Sequence, residues 1–201
     1  MMTNKILKIL LVIIHPENYF LKGYIAMIQT SKIVNCLFHE KQIQQKIIDI
    51  SEIIDNTFKD DEVVLVGVLN GCYPFLADLM RSISIPIQIE TLSYKSYSGD
   101  NVNIKNSDNI TSINKNTIVI LVDDIFDSGR TMKEITEYIA EKYKPKDIRW
   151  CPLVIRYPMK RRRLIAEPLV INSDKWIFGY GLDNNGFQRN ERSIYTIESK
   201  K

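Results

Sequence analysis

Apolar residues recur at two different spacings along the chain, and segments with the two spacings alternate. Between residues 38 and 58, Ile43, Ile47, Ile50 and Ile54 are three or four residues apart, which is the spacing of one face of an amphipathic helix. The next segment, EVVLVGVL, is a continuous run rich in β-branched residues, as expected of a strand buried on both faces. A helix is predicted in YPFLADLMRSI, with Pro74 in its first turn.

The alternation continues through the second half of the chain. Strands are predicted in IPIQIETLSY, IVILV, IRWCPLVI and KWIFGYGL, and a helix is predicted through Met132, Ile135 and Ile139. Residues 96–116 are rich in Asn, Ser, Asp and Gly and are predicted to form a long loop. Strands that alternate with helices predict one α/β domain, built on a parallel twisted sheet flanked by helices.

The composition indicates a folded, globular protein but does not indicate its activity. The chain has 201 residues, 45% of them hydrophobic and 25% charged, which suits a folded domain with a sizeable core. Its net charge of +3 is too small to predict nucleic-acid binding, and KRRR at residues 160–163 is interpreted as a solvated surface. Three scattered cysteines and two histidines predict neither a disulfide framework nor a zinc site, and they favour a reducing, cytoplasmic compartment.

Residues 1–32 precede the predicted α/β pattern. Their apolar run, which ends at Ile14, is too short to span a bilayer, and no small-residue cleavage site follows it. We interpret residues 1–32 as an N-terminal extension and residues 33–201 as the folded domain. A cleaved or membrane-associated segment is the alternative for the extension.

The most informative stretch is VDDIFDSGRT, where a buried strand ends in acidic residues and the chain turns into a helix. In an open parallel sheet, ligands bind beyond the carboxyl ends of the strands. Backbone N–H groups and the helix dipole after such a turn favour a phosphate, and the hydroxyls of Ser128 and Thr131 add donors. Asp123 and Asp124 suit sugar hydroxyls or a hard cation such as Mg²⁺. A ribose 5-phosphate meets all of these demands; the alternative is a helix N-cap whose acids complement the dipole.

This stretch resembles the signature for 5-phosphoribosyl 1-diphosphate (PRPP) in type I phosphoribosyltransferases, and specifically in their hypoxanthine-guanine branch. VGVLNGCYPFLADLMR resembles the pyrophosphate loop, LSYKSYSGD the start of a flexible lid, and KWIFGYGLDNNGFQR the purine-binding hood. The resemblance covers residues 34–189 and implies a parallel sheet with a small hood built from terminal segments. It implies a purine-salvage glycosyltransferase that transfers the phosphoribosyl group of PRPP to hypoxanthine or guanine, giving IMP or GMP and pyrophosphate.

The same resemblance implies a role for each group of matching residues. Asp127 would face the purine N7 and act as general base or acid. The ribose and its 5-phosphate would be contacted by Asp123, Asp124, Asp127, Ser128, Gly129, Arg130 and Thr131. The pyrophosphate would be contacted by Leu69, Asn70, Gly71 and Arg189. The lid would include Ser96 and Tyr97. The purine would be contacted by Trp176, Ile177 and Ile155, although a core position is the alternative for Trp176. The cofactor Mg²⁺ would be held by Asp183, Asp123 and Asp124.

Two positions depart from the family pattern. Asn70 stands where the pyrophosphate loop often carries lysine, a modest change because the loop binds largely through main-chain groups. Ile155 stands where the family has a lysine that donates to the purine 6-oxo group, and losing that bond would weaken affinity roughly ten- to a hundredfold. Adjacent strand residues point to opposite faces, so Arg156 replaces the lysine only if the strand has ended or slipped.

These departures leave two other functions open. One is a PRPP- or nucleotide-sensing regulator that has lost turnover, which KRRR and Ile155 favour and Asp127 opposes. The other is a phosphoribosyltransferase for another base. The family also implies a homo-oligomer, either a dimer or a tetramer, and neither a membrane nor a nucleic-acid partner is expected.

Overall fold

The computed structural model of the protein describes residues 33–96, 102–105, 110–157 and 163–198. Within it, Val34–Ile197 forms one compact unit. The predicted N-terminal extension, the predicted lid residue Tyr97 and most of the KRRR cluster lie outside the described residues.

A parallel sheet forms the centre of this unit. Its strands are β2 (Glu62–Leu69), β3 (Ile87–Ser96), β4 (Val102–Lys105), β5 (Thr117–Phe126), β6 (Asp147–Arg156) and β7 (Leu169–Ile171), and they lie in the order β4-β3-β2-β5-β6-β7. Every neighbouring pair is parallel except β3 and β4, which are antiparallel. The predicted α/β fold is therefore confirmed.

Helices cover both faces of the sheet, because its strands are apolar on both sides. The helices are α1 (Glu40–Thr57), α2 (Tyr73–Ser82) and α3 (Arg130–Tyr143). Val63 and Leu65 of β2 pack in one apolar cluster with α1 and α2, including the four buried isoleucines of α1. Val64 and Val66 belong to a second cluster with α3. Alternate residues of one strand thus fill two cores, which explains the continuous apolar run.

A second, three-stranded sheet is built from both ends of the described chain. It contains β1 (Ile33–Phe38), β8 (Ile177–Phe178) and β9 (Ile194–Glu198) in the order β1-β9-β8. The hydroxyl of Tyr180, which follows β8, donates to Asp78 of α2. The backbone N–H of Glu40 donates to the hydroxyl of Ser193 at 3.1 Å. The small hood implied by the family resemblance is present, and hydrogen bonds attach it to α1 and α2.

Three predicted details differ from the structure. The polar segment predicted as a loop contains β4, which pairs with β3. The strand predicted in KWIFGYGL is only two residues long and belongs to the small sheet. The last parallel strand of the main sheet is instead β7, a three-residue strand too short to show a periodic pattern. Within the described ranges, no helix has the length and apolar character needed to cross a membrane.

Candidate active site

A cavity of about 240 Å³ opens where β2 and β5 end and α3 begins. This is the carboxyl edge of the parallel sheet, where ligands bind in folds of this class. Its lining contains the following predicted site residues: Leu69, Gly71, Asp123, Asp124, Asp127, Ser128, Gly129 and Thr131. The structure therefore brings two residues of the predicted pyrophosphate loop and every predicted ribose-phosphate residue except Arg130 into one cavity. Asn70, Arg130 and Arg189 do not belong to its lining.

Asp123, which is buried, and Asp124, which is half-buried, form an acidic pair near the end of β5. Oδ1 of Asp123 accepts the backbone N–H of Asp124 at 3.0 Å, and Oδ1 of Asp124 accepts that of Ile125 at 2.9 Å. Burial raises the pKa of both carboxyls, and the charge of Asp124 raises the pKa of Asp123 further. The charge of Arg189 acts in the opposite direction on the pKa of Asp124. Two carboxyls whose pKa values are raised by burial favour a ligand that supplies hydroxyl donors or positive charge.

The turn after the acidic pair leaves the N-terminus of α3 open to an anion. Its N-cap residue is Gly129, which has φ 77° and no side chain to cap the helix, and the first turn contains no acidic residue. The hydroxyl of Ser128 makes only a long contact, 3.4 Å, with the backbone N–H of Arg130. The acid-capped helix considered as the alternative therefore does not describe this turn. Its backbone donors and dipole suit a phosphate.

Close backbone contacts bring the predicted pyrophosphate loop against the acidic pair and the hood. A Cβ atom on Gly71 would lie 1.8 Å from Oδ2 of Asp124, and one on Gly181 would lie 1.9 Å from the carbonyl oxygen of Gly71. The peptide between Leu69 and Asn70 is cis. Asn70 is exposed, and its side chain does not belong to the described cavity lining. This arrangement suits a loop that binds through its main chain.

Asp183 and Arg189, both predicted site residues, form an ion pair in the hood. Nη2 of Arg189 lies 2.8 Å from Oδ1 of Asp183, and its Nη1 donates to the carbonyl oxygen of Gly181 at 2.5 Å. Oδ2 of Asp183 accepts the backbone N–H of Gly186 at 2.8 Å. The described residues contain no cluster of three or more His, Cys, Asp or Glu side chains suited to a metal ion. A cation here would need oxygen ligands from a substrate, as is usual for Mg²⁺.

The predicted purine contacts divide into exposed and buried residues. Trp176 is 56% exposed, so it is not a core residue. Its carbonyl oxygen accepts hydrogen bonds from Thr196 and Ile197 of β9, and Ile177 is buried in β8. Ile155 is 2% exposed and packs in the cluster on the α3 side of the sheet. An exposed indole held by its backbone is available to stack on a planar ligand.

Arg156, which the sequence does not place in the site without a strand break, lies beside Asp127. Strand β6 ends at Arg156, and Tyr157 follows with φ 69°. Nε of Arg156 lies 3.3 Å from Oδ1 of Asp127. The strand end is the condition under which an arginine one residue beyond Ile155 reaches the site. The signal for it in the sequence is Pro158, because proline has no N–H to donate to a neighbouring strand.

Tyr94 is a further cavity residue that the sequence does not single out. Its hydroxyl donates to Oε2 of Glu134 at 2.5 Å, and Oε1 of Glu134 accepts Nε of Arg130 at 2.6 Å. Tyr94 precedes the predicted lid residue Ser96 by two positions in β3, so the alternation of a strand was an available signal. This network ties the end of β3 to the first turn of α3.

Comparison with known proteins agrees with the geometry. A family model described as phosphoribosyl transferase domain matches residues 35–185. The hypoxanthine-guanine phosphoribosyltransferase of Aquifex aeolicus is 31% identical over 175 residues, which cover 83% of this chain and 96% of the relative. The hypoxanthine phosphoribosyltransferase of Salmonella typhimurium is 30% identical over 157 residues, covering 75% and 87%.

A solved structure has the same fold. The crystal structure of a hypoxanthine-guanine phosphoribosyltransferase from Bacillus anthracis superposes with a TM-score of 0.71 at 27% identity, covering 83% of this chain and 99% of that one. The family model spans most of the folded unit, including the acidic pair, the turn at residues 127–131 and Asp183. The chain belongs to the phosphoribosyltransferase family.

Proposed function

We propose that this chain transfers the 5-phosphoribosyl group of PRPP to hypoxanthine or guanine, giving IMP or GMP and pyrophosphate. This is a glycosyltransferase reaction of purine salvage, and relatives at about 30% identity carry the corresponding names. The observation that carries the proposal is the meeting of the Asp123–Asp124 pair with an open helix N-terminus in one cavity. A sugar phosphate supplies the hydroxyl donors and the anion that those two features require.

The donor lies along the edge of the sheet. Asp123 and Asp124 accept hydrogen bonds from the ribose 2- and 3-hydroxyls, which relieves the cost of burying two adjacent carboxyls. The turn at residues 127–131, which includes Gly129 and Arg130, binds the 5-phosphate through its backbone N–H groups and the hydroxyls of Ser128 and Thr131.

The reaction forms a bond between the purine N9 and C1 of the ribose, and it breaks the bond between C1 and the pyrophosphate oxygen. As N9 donates its electron pair, the purine becomes positively charged and the proton on N7 becomes acidic. Asp127, in the cavity lining, accepts that proton and stabilises the developing charge. The electron pair of the broken bond leaves with pyrophosphate.

The residues around the leaving group fit a divalent cation. The raised pKa values of the acidic pair reflect burial without full charge compensation, and Asp183 adds a carboxylate from the hood. Mg²⁺ usually takes one or two protein carboxylates and fills its remaining positions with water and substrate phosphates. Asp183, Asp123 and Asp124 are the carboxylates available to it; one or two of them would bind it directly, and it would supply Lewis-acid neutralisation of the leaving group.

Protein groups also hold the pyrophosphate itself. The main chain of Leu69, Asn70 and Gly71 contacts it, and the guanidinium of Arg189 adds a bidentate cation.

The acceptor purine occupies the space between Asp127 and the hood. Trp176 stacks on its face, and the backbone of Ile177 contacts its edge. Ile155, packed in the core, offers the purine no hydrogen-bond donor. A lid that begins at Ser96 and Tyr97 excludes water, which would otherwise hydrolyse PRPP.

A panel of bases tests this function. Purified protein with Mg²⁺ and PRPP is incubated separately with hypoxanthine, guanine, xanthine and adenine, and nucleotide formation is measured for the wild type and for D127N. We expect turnover of hypoxanthine or guanine that falls sharply in D127N. Tight PRPP binding without turnover of any base would indicate a regulator, and turnover of only another base would reassign the acceptor.

We extend the proposal to the organisation of the whole chain. Residues 33–201 form the catalytic domain, residues 1–32 are an extension outside it, and the chain assembles into a dimer or tetramer. A variant that lacks residues 1–32 is expected to retain turnover.

Light scattering on the full chain measures the assembly, and a monomeric mass would contradict that part of the proposal.

A further inference from the structure

The guanidinium of Arg156 connects the predicted general base to the segment that presents Trp176. Its side chain is only 12% exposed, and its Nε lies 3.3 Å from Oδ1 of Asp127. Its Nη1 donates to the carbonyl oxygens of Ser173 and Lys175, at 3.1 Å for the latter. The guanidinium is therefore fixed from two sides, beside the carboxylate that faces N7 and against the backbone just before the stacking tryptophan.

We propose that Arg156 recognises the 6-oxo group of the acceptor purine and thereby selects hypoxanthine and guanine over adenine. The inference rests on the proposed function, because it names the residue that reads the base in that reaction. It assigns to Arg156 the donor role that Ile155 lacks the chemistry to perform.

The edge of a 6-oxopurine has a pattern that matches the Arg156–Asp127 pair. N7 and O6 are adjacent on one edge of the base, as in the bidentate arginine contact to guanine in nucleic acids. In the reacting base N7 carries the proton that Asp127 accepts, and O6 accepts from a neighbouring donor. The carboxylate and the guanidinium thus present one acceptor and one donor in the order that the edge requires.

Adenine presents the wrong group to this pair. Its 6-amino group is a donor, and a guanidinium has only donors. The two N–H groups on Nη2 of Arg156 have no hydrogen-bond acceptor among the residues that the structure describes. An incoming O6 satisfies such a donor, whereas an amino group leaves it unsatisfied.

The end of β6 explains why the donor comes from position 156. Ile155 pairs with Phe126 of β5 and packs in the cluster on the α3 side, so its side chain is committed to the core. Arg156 is the last residue of the strand, and the positive φ of Tyr157 turns the chain away directly after it. The donor to O6 is therefore one residue further along the chain than the family lysine, on the opposite face of the main sheet.

Binding of three ligands to the wild type and R156M tests the proposal. Calorimetry measures the dissociation constants of IMP, AMP and ribose 5-phosphate, the last of which lacks the base. Methionine preserves the length of the side chain but removes every donor. We expect R156M to weaken IMP binding roughly 10- to 100-fold, the range for a lost charge-assisted hydrogen bond. Ribose 5-phosphate binding should change less than twofold, and the preference for IMP over AMP should fall.

Two further variants separate base recognition from a purely structural role. Tyr157→Phe removes the hydroxyl that donates to Asp174 at 2.5 Å, another attachment of the same segment. It leaves the guanidinium in place and should preserve the preference for IMP over AMP. Arg156→Lys restores a charged donor and should bind IMP more tightly than R156M does.

Each result bears on one of the two proposals. Unchanged IMP affinity in R156M, or equal weakening of IMP and ribose 5-phosphate, overturns the role of Arg156 while the proposed function stands. Equal loss of the IMP preference in Y157F also overturns it, because the effect would then come from the segment. Absence of both IMP and GMP formation by the wild type, measured first, overturns the proposed function itself.

Discussion

Replacing Gly71 with alanine should close the ribose site from the side of the pyrophosphate loop. The new Cβ atom would lie 1.8 Å from Oδ2 of Asp124, whereas ordinary contact begins at 3.4 Å. The carboxylate therefore has to retreat by the difference between 3.4 Å and 1.8 Å, about 1.6 Å. Gly71 is not among the residues with positive φ, so the effect is steric and involves no backbone strain.

The displacement should appear mainly as lost PRPP affinity. A carboxylate moved by more than 1 Å no longer accepts a ribose hydroxyl in place, and a lost hydrogen bond to a charged group costs about 1.5–3 kcal/mol. The dissociation constant of PRPP, measured by calorimetry with Mg²⁺, should rise roughly 10- to 150-fold. Overpacking should also reduce the free energy of unfolding by about 1–3 kcal/mol.

Gly67→Ala provides the matched control. Gly67 lies in β2, the strand that leads into the turn containing Gly71, and a Cβ atom there would be 2.6 Å from the side chain of Leu76, in the core and away from Asp124. The melting temperature of G67A should fall, while the folded protein should bind PRPP within about twofold of the wild type. Wild-type PRPP affinity in G71A would refute the assignment of Asp124 to the ribose hydroxyls. Equal loss in G67A would show that general destabilisation, rather than the carboxylate, is responsible.

Three other substitutions have distinct expected outcomes. D127N should lower kcat for hypoxanthine about 10²- to 10⁴-fold with little change in PRPP affinity, measured by initial rates and calorimetry, because it removes the proton acceptor. Burial raises the pKa of Asp123, so the folded state is penalised once that carboxyl ionises; D123N should raise the melting temperature near pH 7 without ligands. That gain in melting temperature should vanish as pH falls through the raised pKa towards the ordinary value of 3.8. A D123N melting temperature equal to that of the wild type at every pH from 4 to 8 would contradict this prediction. I155K should lower the melting temperature without tightening IMP binding, because it places an ammonium in an apolar cluster; tighter IMP binding would show that position 155 reaches the base.

Most strands of the main sheet and the helices that cover it could be predicted from hydrophobic patterns over short stretches of sequence, and the structure contains them where those patterns predict them. The buried runs of β-branched residues form parallel strands, and the regularly spaced isoleucines of α1 form its buried face. The signature VDDIFDSGRT carries its residues to the strand end and helix start, where the cavity lies. These features are short-range, so a single sequence is sufficient to predict them.

The features that the sequence did not predict depend on contacts between distant segments. Strand β7 has three residues, and its pairing with β6 rather than its composition makes it a strand. The approach of Gly71 to Asp124 brings a turn after β2 against a residue of β5 that is far away in the chain. Arg156 reaches Asp127 only because β6 ends where it does, and strand boundaries are the least certain part of a pattern.

The products of one reaction provide the most direct test of the proposed chemistry. Hypoxanthine, PRPP and Mg²⁺ are incubated with the wild-type chain, and IMP and pyrophosphate are quantified in the same samples by chromatography. We expect equal amounts of both products at every time point, with both lost together in D127N. Pyrophosphate without IMP, or no product from a folded protein that binds PRPP, would contradict phosphoribosyl transfer to hypoxanthine.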